Sequence, residues 1–395
     1  MATPVLKVRI TGVLRTLLLL LLLTPFWLWL AWLLTEKRVL VVAIIDKTVL
    51  STKGQEHISL NWVLNQEKFT KKNTELYDLE KDYFGFFPRG NNQYQIKGLE
   101  RFSIERLKQL SRDVDVAYLT DTYGIYNNEW YHEGDDKARS GMLYGGMSRQ
   151  DLYFIQQMRA RHKLIITEFN CLASPTDSAV RAGFEKTFGI SWTKWIGRYF
   201  DSFDTSRNKE LPHWLVDLYK KQHQGKWPFT KAGIAFINSD DRVLILEAGT
   251  HLYRTLPQII SGKEGQQHYG LPASMQYSFW FDVIKPDNRF NHVISQFKID
   301  VNDAGKYEMT KYGLSPIFPA ITTHINTDYR FFYFSADFAD NPIRLTTSYF
   351  KGIPYFNSFL YNRRDPLDRN GFFWKIYQPL VTTILNDYYA TGQHH

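Results

Sequence analysis

Continuous apolar runs alternate along the chain with amphipathic segments, and this pattern predicts strands and helices in turn. Residues 38–46 are almost entirely β-branched or aliphatic, and runs of the same kind occur at 114–121 and 163–169. Apolar runs without polar alternation are typical of strands that are buried on both faces. Amphipathic segments follow at these positions: 57–69, 103–112, 148–162 and 176–188. Strand and helix in alternation predict a parallel sheet with helices on its faces.

The pattern changes after residue 226. The runs 233–238 and 242–247 are joined by Ser239-Asp240-Asp241, which indicates a hairpin. Three later runs are expected to be antiparallel strands, and a closing helix is expected last: 276–284, 292–299, 329–334 and 372–389. We therefore predict an α/β protein, with a three-layer parallel-sheet domain over 38–225 and a β-rich extension with a closing C-terminal helix over 226–395.

An uncharged apolar segment near the N-terminus predicts a membrane anchor. It runs from residue 16 to 35, contains three tryptophans towards one end, and would be about 28–30 Å long as a helix. The preceding residues 1–15 carry Lys7, Arg9 and Arg15 and no acid, so the positive-inside rule predicts a cytoplasmic leader. The alternative is a cleaved signal peptide, but the segment ends without a small-x-small cleavage site. We expect a single-pass protein of the bacterial inner membrane whose bulk is periplasmic.

Composition excludes several classes of function. The net charge of +8 owes much to the residues before 39, and the rest of the chain has no block of Lys or Arg, so no nucleic-acid partner is expected. Cys171 is the single cysteine, which rules out an internal disulfide and a cysteine-rich zinc site. The loop 132–136 has acidic oxygens but lacks the spacing of an EF-hand, and is interpreted as solvated. No metal and no cofactor are expected.

Polar residues stand where each of the three buried strands ends. In an open parallel sheet, ligands bind beyond the carboxyl ends of the strands, so these side chains are expected to share one rim. Asp121, Glu168 and His57 are candidates for acid–base catalysis, because carboxyl groups with shifted pKa values serve that role. The candidate ligand-binding residues at the same rim are Asp46, Lys47, Tyr123 and Asn170. The alternative is that acids at strand ends only cap turns.

Aromatic residues make up 16% of the chain and gather in runs with polar neighbours. Aromatic rings among amides and acids can stack on sugar faces while the polar groups bind hydroxyls. Trp192 and Trp195 are the candidates for such contacts. A large aromatic core is the alternative explanation for most of these runs.

Part of the chain resembles a known family. Ile165-Ile166-Thr167-Glu168-Phe169-Asn170, followed by Arg181-Ala182-Gly183-Phe184-Glu185 and Gly189-Ile190-Ser191-Trp192, is similar to the class I glutamine amidotransferase-like fold, in particular to its ThuA-like branch. The wider chain resembles uncharacterised membrane-anchored envelope proteins of bacteria. Cys171 has no flanking glycines, so the strained nucleophile turn of the amidotransferases is not expected. The resemblance implies a binding site or an altered active site, often linked to carbohydrates.

These observations lead to a preferred hypothesis and two alternatives. We expect an envelope protein that recognises a carbohydrate or cell-envelope glycan and that processes it if the rim is catalytic. The second hypothesis is a non-catalytic scaffold whose partners are proteins of an export or polysaccharide-assembly complex. The third is a TIM-barrel glycosidase, which would need eight strand–helix units where only about four are found. Whether the protein is an enzyme is left open by its sequence.

Overall fold

The structure is a computed structural model that describes residues 15, 18–52, 55–132, 139–365 and 367–392. The predicted leader, apart from Arg15, and residues 133–136 of the acidic loop lie outside them. The helices are α1 Thr24–Leu34, α2 Ile58–Gln66, α3 Ile104–Asp113, α4 Asn127–Tyr131, α5 Arg149–Ala160, α6 Ser178–Phe188, α7 His213–Gln222, α8 Lys263–Gln267, α9 Asp303–Lys311, α10 Arg369–Phe372 and α11 Gln378–Ala390, with a π-helical turn at Phe373–Tyr377 and 3₁₀ turns at Leu99–Arg101, Leu345–Tyr349 and Ile353–Phe359. The strands are β1 Arg38–Val39, β2 Val42–Asp46, β3 Phe69–Thr70, β4 Phe84–Pro88, β5 Tyr94–Ile96, β6 Val116–Asp121, β7 Ile125–Tyr126, β8 Met142–Tyr144, β9 Leu164–Glu168, β10 Ile190–Phe200, β11 Gly233–Asn238, β12 Val243–Glu247, β13 Gln258–Ser261, β14 Ser274–Gln276, β15 Phe281–Pro286, β16 His292–Lys298, β17 Ile317–Ile325 and β18 Arg330–Phe334.

A ten-stranded mixed sheet forms the centre of the molecule. Its strand order is β14-β13-β16-β17-β18-β9-β6-β2-β4-β5. The five strands from β18 to β4 are parallel, and the remaining pairs are antiparallel. The parallel centre confirms the predicted α/β class. The expectation for 329–334 was wrong in part, because β18 pairs antiparallel with β17 but parallel with β9.

Helices cover both faces of this sheet, as the three-layer prediction requires. Alternate side chains of β2 point to opposite faces, so Val42 and Ile44 belong to one core while Ala43 and Ile45 belong to another. The first core also contains α2 and α11, and the second contains α3, α5 and α6. A strand buried on both faces needs apolar residues at every position, which explains its unbroken apolar run.

A second sheet, of four antiparallel strands, has the order β12-β11-β10-β15. Helix α7 packs on one of its faces. The predicted strand 276–284 was wrong, since the run divides between β14 of the large sheet and β15 of the second sheet. Residues 38–46 also divide, into β1 and β2. Over the described residues the strands form open sheets rather than a closed eight-stranded ring, so the TIM-barrel alternative is contradicted.

Helix α1 contacts the rest of the protein near its C-terminal end. Trp32 is buried, its ring lies 4.8 Å from the ring of Tyr349, and its Nε1 donates to the carbonyl of Asn65 at 2.9 Å. Lys68 Nζ donates to the carbonyls of Leu33 and Thr35. Among the described residues, none of the helices has both the length and the apolar stretch that crossing a bilayer requires.

Candidate functional site

Asp46 lies at the carboxyl end of β2, where the sequence pattern placed a ligand-binding residue. The parallel pairing of β2 and β6 sets Asp46 opposite Asp121. Asp46 is fully buried, and its Oδ2 lies 2.6 Å from Nδ1 of His57, which begins the segment leading into α2. The other ring nitrogen of His57 lies 2.9 Å from the carbonyl oxygen of Leu79. The structure therefore brings together three of the residues predicted for the rim.

The carboxyl group of Asp121 accepts three hydrogen bonds. Thr48 Oγ1 donates to its Oδ1 at 2.8 Å, the backbone N–H of Tyr123 donates to the same oxygen, and Asn170 Nδ2 donates to Oδ2 at 3.1 Å. Burial, together with the charges of Asp337 and Asp46, raises the pKa of Asp121 to about 8 in spite of these hydrogen bonds. A carboxyl with this pKa keeps its proton at neutral pH.

Asn170 takes a backbone conformation that few residues other than glycine adopt. Its φ is 70°, in the left-handed region. Asparagine tolerates this region better than most residues because its short side chain can make local hydrogen bonds. The turn places the side-chain amide against Asp121, as predicted for a residue of the rim.

Three further acids belong to this site, and sequence reasoning missed them. Glu56 immediately precedes His57, while Asp337 and Asp340 follow the carboxyl end of β18. Burial raises the pKa of Glu56 well above its usual value, and the charges of Asp340, Asp337, Asp121 and Asp46 add to this. We call the five carboxyl groups that act on one another here the acidic cluster: Asp46, Glu56, Asp121, Asp337 and Asp340.

Arg369 compensates part of this negative charge. Its Nη1 lies 2.7 Å from Oδ2 of Asp340 and 3.3 Å from Oδ2 of Asp337. Burial raises the pKa of Asp337 to about 6 in spite of this guanidinium. One oxygen from each of Glu56, Asp337 and Asp340 lies within 4.8 Å of the others, which is the ligand type and spacing that a divalent cation needs. Sequence reasoning could not find this set, because the spacing of these acids along the chain follows no metal motif.

Two predicted site residues are buried, and their polar groups have partners inside the protein. Lys47 is buried, and its Nζ lies 2.6 Å from Oδ2 of Asp151 and 3.0 Å from the carbonyl oxygen of Gly146. Burial lowers the pKa of Lys47, but Asp151 and Glu100 more than offset this and raise it. These contacts tie the end of β2 to α5. A ligand-binding role of Lys47 stays a prediction.

Glu168 is also fully buried. Its Oε1 accepts a hydrogen bond from the hydroxyl of Tyr118, and its Oε2 accepts from the N–H groups of Phe338 and Ala339, both at 2.9 Å. Burial raises the pKa of Glu168 well above its usual value. The contacts connect β9 to the loop that carries Asp337 and Asp340. A catalytic role of Glu168 stays a prediction.

We call a cavity of about 390 Å³ the aromatic cleft. Asn170 is one of its lining residues and also donates a hydrogen bond to Asp121, so the cleft lies one residue away from that carboxyl. Trp192 lines it too, whereas Trp195 does not, although its carbonyl accepts a hydrogen bond from Nε1 of Trp192. The cleft therefore combines ring faces with polar groups that can bind hydroxyls, and its aromatic members are Tyr123, Tyr126, Trp192 and Trp214.

A second cavity has a volume of about 940 Å³. Its lining includes Gln55, next to Glu56, and Tyr83, whose ring centroid lies 4.6 Å from that of His57. Glu129 lines this cavity as well as the aromatic cleft. Each of the two cavities is therefore lined by a residue that is next to a member of the acidic cluster, Gln55 beside Glu56 and Asn170 beside Asp121.

Comparison with known proteins adds structural likenesses only. No protein-family profile and no curated protein matches the chain. It is similar to a putative ThuA-like protein from Parabacteroides merdae, with 10% identity, a TM-score of 0.34, and 76% of this chain and 79% of that chain covered. It is also similar to a β-galactosidase from Bacillus circulans sp. alkalophilus, with 11% identity and a TM-score of 0.27 over 58% of this chain, which spans 22% of that protein.

A carbohydrate deacetylase is a third similar structure, with 8% identity, a TM-score of 0.25, and coverage of 76% of this chain and 30% of that one. TM-scores this low do not establish a shared fold. The activities named for these proteins are therefore not transferred to this chain.

The raised pKa of Asp121 predicts a pH-dependent stability. The carboxyl has a pKa of about 8 in the folded protein and 3.8 when it is unperturbed, so the folded state holds a proton that the unfolded chain releases. Stability from this group is complete below pH 4 and is lost as the pH rises to 8. Between pH 5 and 8, the free energy of unfolding of Asp121→Asn should therefore fall by a few kcal/mol less than that of the wild type.

Thermal unfolding followed by circular dichroism at pH 5, 6.5 and 8 measures this difference. Asp287→Asn is the matched control, since the pKa of Asp287 is about 2 and the group does not titrate in this range. Equal pH dependence in Asp121→Asn and the wild type would contradict the prediction.

Proposed function

We propose that the protein binds a glycan in the aromatic cleft and hydrolyses it with carboxyl groups of the acidic cluster. The observation that carries this proposal is the position of Asn170, which lines the cleft and whose amide donates a hydrogen bond to Asp121. A sugar held in the cleft would lie one residue away from a carboxyl that is protonated at neutral pH.

The chemistry needs one acid and one base. Protonated Asp121 can donate its proton to the oxygen of the leaving sugar as the bond to the sugar carbon breaks. Asp46, on the neighbouring strand and hydrogen-bonded to His57, is the second carboxyl group. It would either accept the proton of the attacking water or attack the sugar carbon itself. In the second case Asp121, which has given up its proton, accepts the proton of the water that breaks the bond between Asp46 and the sugar.

Variants at Asp121 and Tyr123 test the two halves of this proposal. Tyr123 lines the cleft and is 37% exposed, so its replacement should not harm folding. Tyr123→Ala should weaken the binding of an oligosaccharide about 5- to 10-fold, because a ring that stacks contributes about 1 kcal/mol. Asp121→Asn should keep binding and lower turnover at least about 100-fold, because it removes the acid.

Chitotetraose and soluble peptidoglycan fragments are suitable probes, with calorimetry for binding and reducing-sugar release for turnover. Tyr253→Ala is the control, since Tyr253 is 73% exposed and does not line the cleft. Binding without turnover in the wild type would favour the non-catalytic alternative. Equal binding by wild type and Tyr123→Ala would refute the cleft as the glycan site.

We also propose that residues 16–35 attach the protein to a bilayer, with the leader on the cytoplasmic side and the bulk of the chain on the other. The support is the sequence of that segment and the exposed apolar side chains of its described part. Leu21 is 69% exposed and Leu34 is 76% exposed. Exposed leucines in such a run are typical of a helix that contacts lipid.

A further inference from the structure

A group of exposed aromatic side chains lies on the 3₁₀ segment Ile353–Phe359. Tyr355 is 91% exposed, Phe359 is 85% exposed and Phe356 is 42% exposed. Neither Tyr355 nor Phe359 has a ring partner among the residues that the structure describes. Large apolar side chains this exposed usually mark a surface that contacts something else.

Residues shortly before this segment contact α1. The backbone N–H of Lys351 donates to the carbonyl of Leu28 at 2.9 Å, and Tyr349 contacts Trp32. Leu28 stands seven positions before Thr35, which is about 10 Å along a helix. The segment that follows Lys351 therefore shares the surroundings of α1 near Leu28.

Helix α1 presents aromatic residues of the same kind. Phe26, Trp27 and Trp29 are each 40–47% exposed, and the ring of Phe26 lies 5.1 Å from that of Trp27. Tyrosine, tryptophan and phenylalanine with nearby basic residues are the composition of protein surfaces at the lipid headgroup level. Arg363 and Arg364, both exposed, follow the segment.

We propose that Tyr355 and Phe359, together with the exposed aromatic residues of α1, form one surface that dips into the bilayer interface. This inference rests on the proposed attachment through residues 16–35 and adds a second contact, supplied by the globular part. It fixes the orientation of the domain, because a rigid body held at two places cannot rotate freely about a single anchor. A depth of 5–10 Å into the headgroup region is typical of such surfaces.

An environment-sensitive fluorophore can test this contact in the full chain. Cys171 is fully buried, so a new cysteine at the surface can be labelled selectively. Phe359→Cys carries the label at the proposed contact, and Tyr253→Cys carries it at an exposed site outside this surface. The labelled full-length proteins are mixed with vesicles of phosphatidylethanolamine and phosphatidylglycerol, with or without nitroxide-labelled lipid.

We expect the label at 359 to brighten at least 2-fold on vesicles and to be quenched by the nitroxide lipid, while the label at 253 does neither. Protein that floats with vesicles while its label at 359 stays unchanged would overturn the inference and leave the attachment through 16–35 intact. Protein that fails to float at all would refute the attachment as well. Brightening that rises with protein concentration without lipid would assign the surface to self-association instead and would also overturn the inference.

Discussion

Replacement of Lys47 by methionine should lower the free energy of unfolding by about 3–5 kcal/mol. The ammonium group of Lys47 is buried 2.6 Å from Oδ2 of Asp151, and neither side chain has more than 2% exposure. Methionine has a similar shape but no charge, so Asp151 would lose its ion-pair partner in a place where water cannot replace it. A buried carboxylate without a partner is among the most destabilising consequences of a single substitution.

Urea denaturation of the wild type and Lys47→Met measures this loss. Lys81→Met is the matched control, because Lys81 pairs with Asp78 at the surface and is well exposed, so no measurable change is expected there. A loss below about 1 kcal/mol for Lys47→Met would contradict the buried pair. Normal oligosaccharide binding by folded Lys47→Met would in addition argue against the predicted ligand-binding role of this residue.

Glu168→Ala is expected to have a comparable effect for a different reason. Alanine leaves the buried N–H groups of Phe338 and Ala339 without their acceptor, while the hydroxyl of Tyr118 keeps the hydroxyl of Tyr377 as a partner. Each unsatisfied buried group costs about 1–3 kcal/mol, so the free energy of unfolding should fall by about 2–6 kcal/mol. The loop with Asp337 and Asp340 would lose its attachment to β9.

Glu168→Gln separates this anchoring role from catalysis. Burial raises the pKa of Glu168 well above its usual value, and glutamine keeps the shape of the side chain and one acceptor oxygen for the N–H groups of Phe338 and Ala339. If Glu168 serves only to anchor the loop, the Glu168→Gln variant should unfold at nearly the wild-type denaturant concentration and keep most of the turnover. If glutamine instead keeps stability but abolishes turnover, the predicted catalytic role is supported.

The parts of the site that sequence reasoning could reach are those set by local pattern. β2, β6 and β9 are continuous apolar runs, and a parallel arrangement places the residues at their ends, Asp46 and Asp121, on one edge. His57 follows the first of these ends closely enough to reach it. Trp192 could be proposed for a sugar cleft because aromatic residues alternate there with polar ones.

The residues that were missed depend on pairing between distant parts of the chain. Asp337 and Asp340 join the acidic cluster only because β18 lies parallel to β9, with Arg330 opposite Leu164. Nothing in the composition of β18 distinguishes a parallel from an antiparallel neighbour. The strand has antiparallel β17 on one side and parallel β9 on the other. Arg369 reaches the cluster from the C-terminal part of the chain, beyond any local signal. Glu56 gave no signal apart from its position next to His57.

The place of β18 in the central sheet also has a consequence for how the protein is made. During synthesis, the edge of β9 that faces away from β6 has no partner strand until residue 334 has left the ribosome. At 5–20 residues per second, this takes on the order of 10 s after residue 168 has been added. An unpaired apolar strand edge is a template for wrong partners in that interval. The nascent chain should therefore depend on chaperones, and a shortened chain that stops before β18 should aggregate rather than fold.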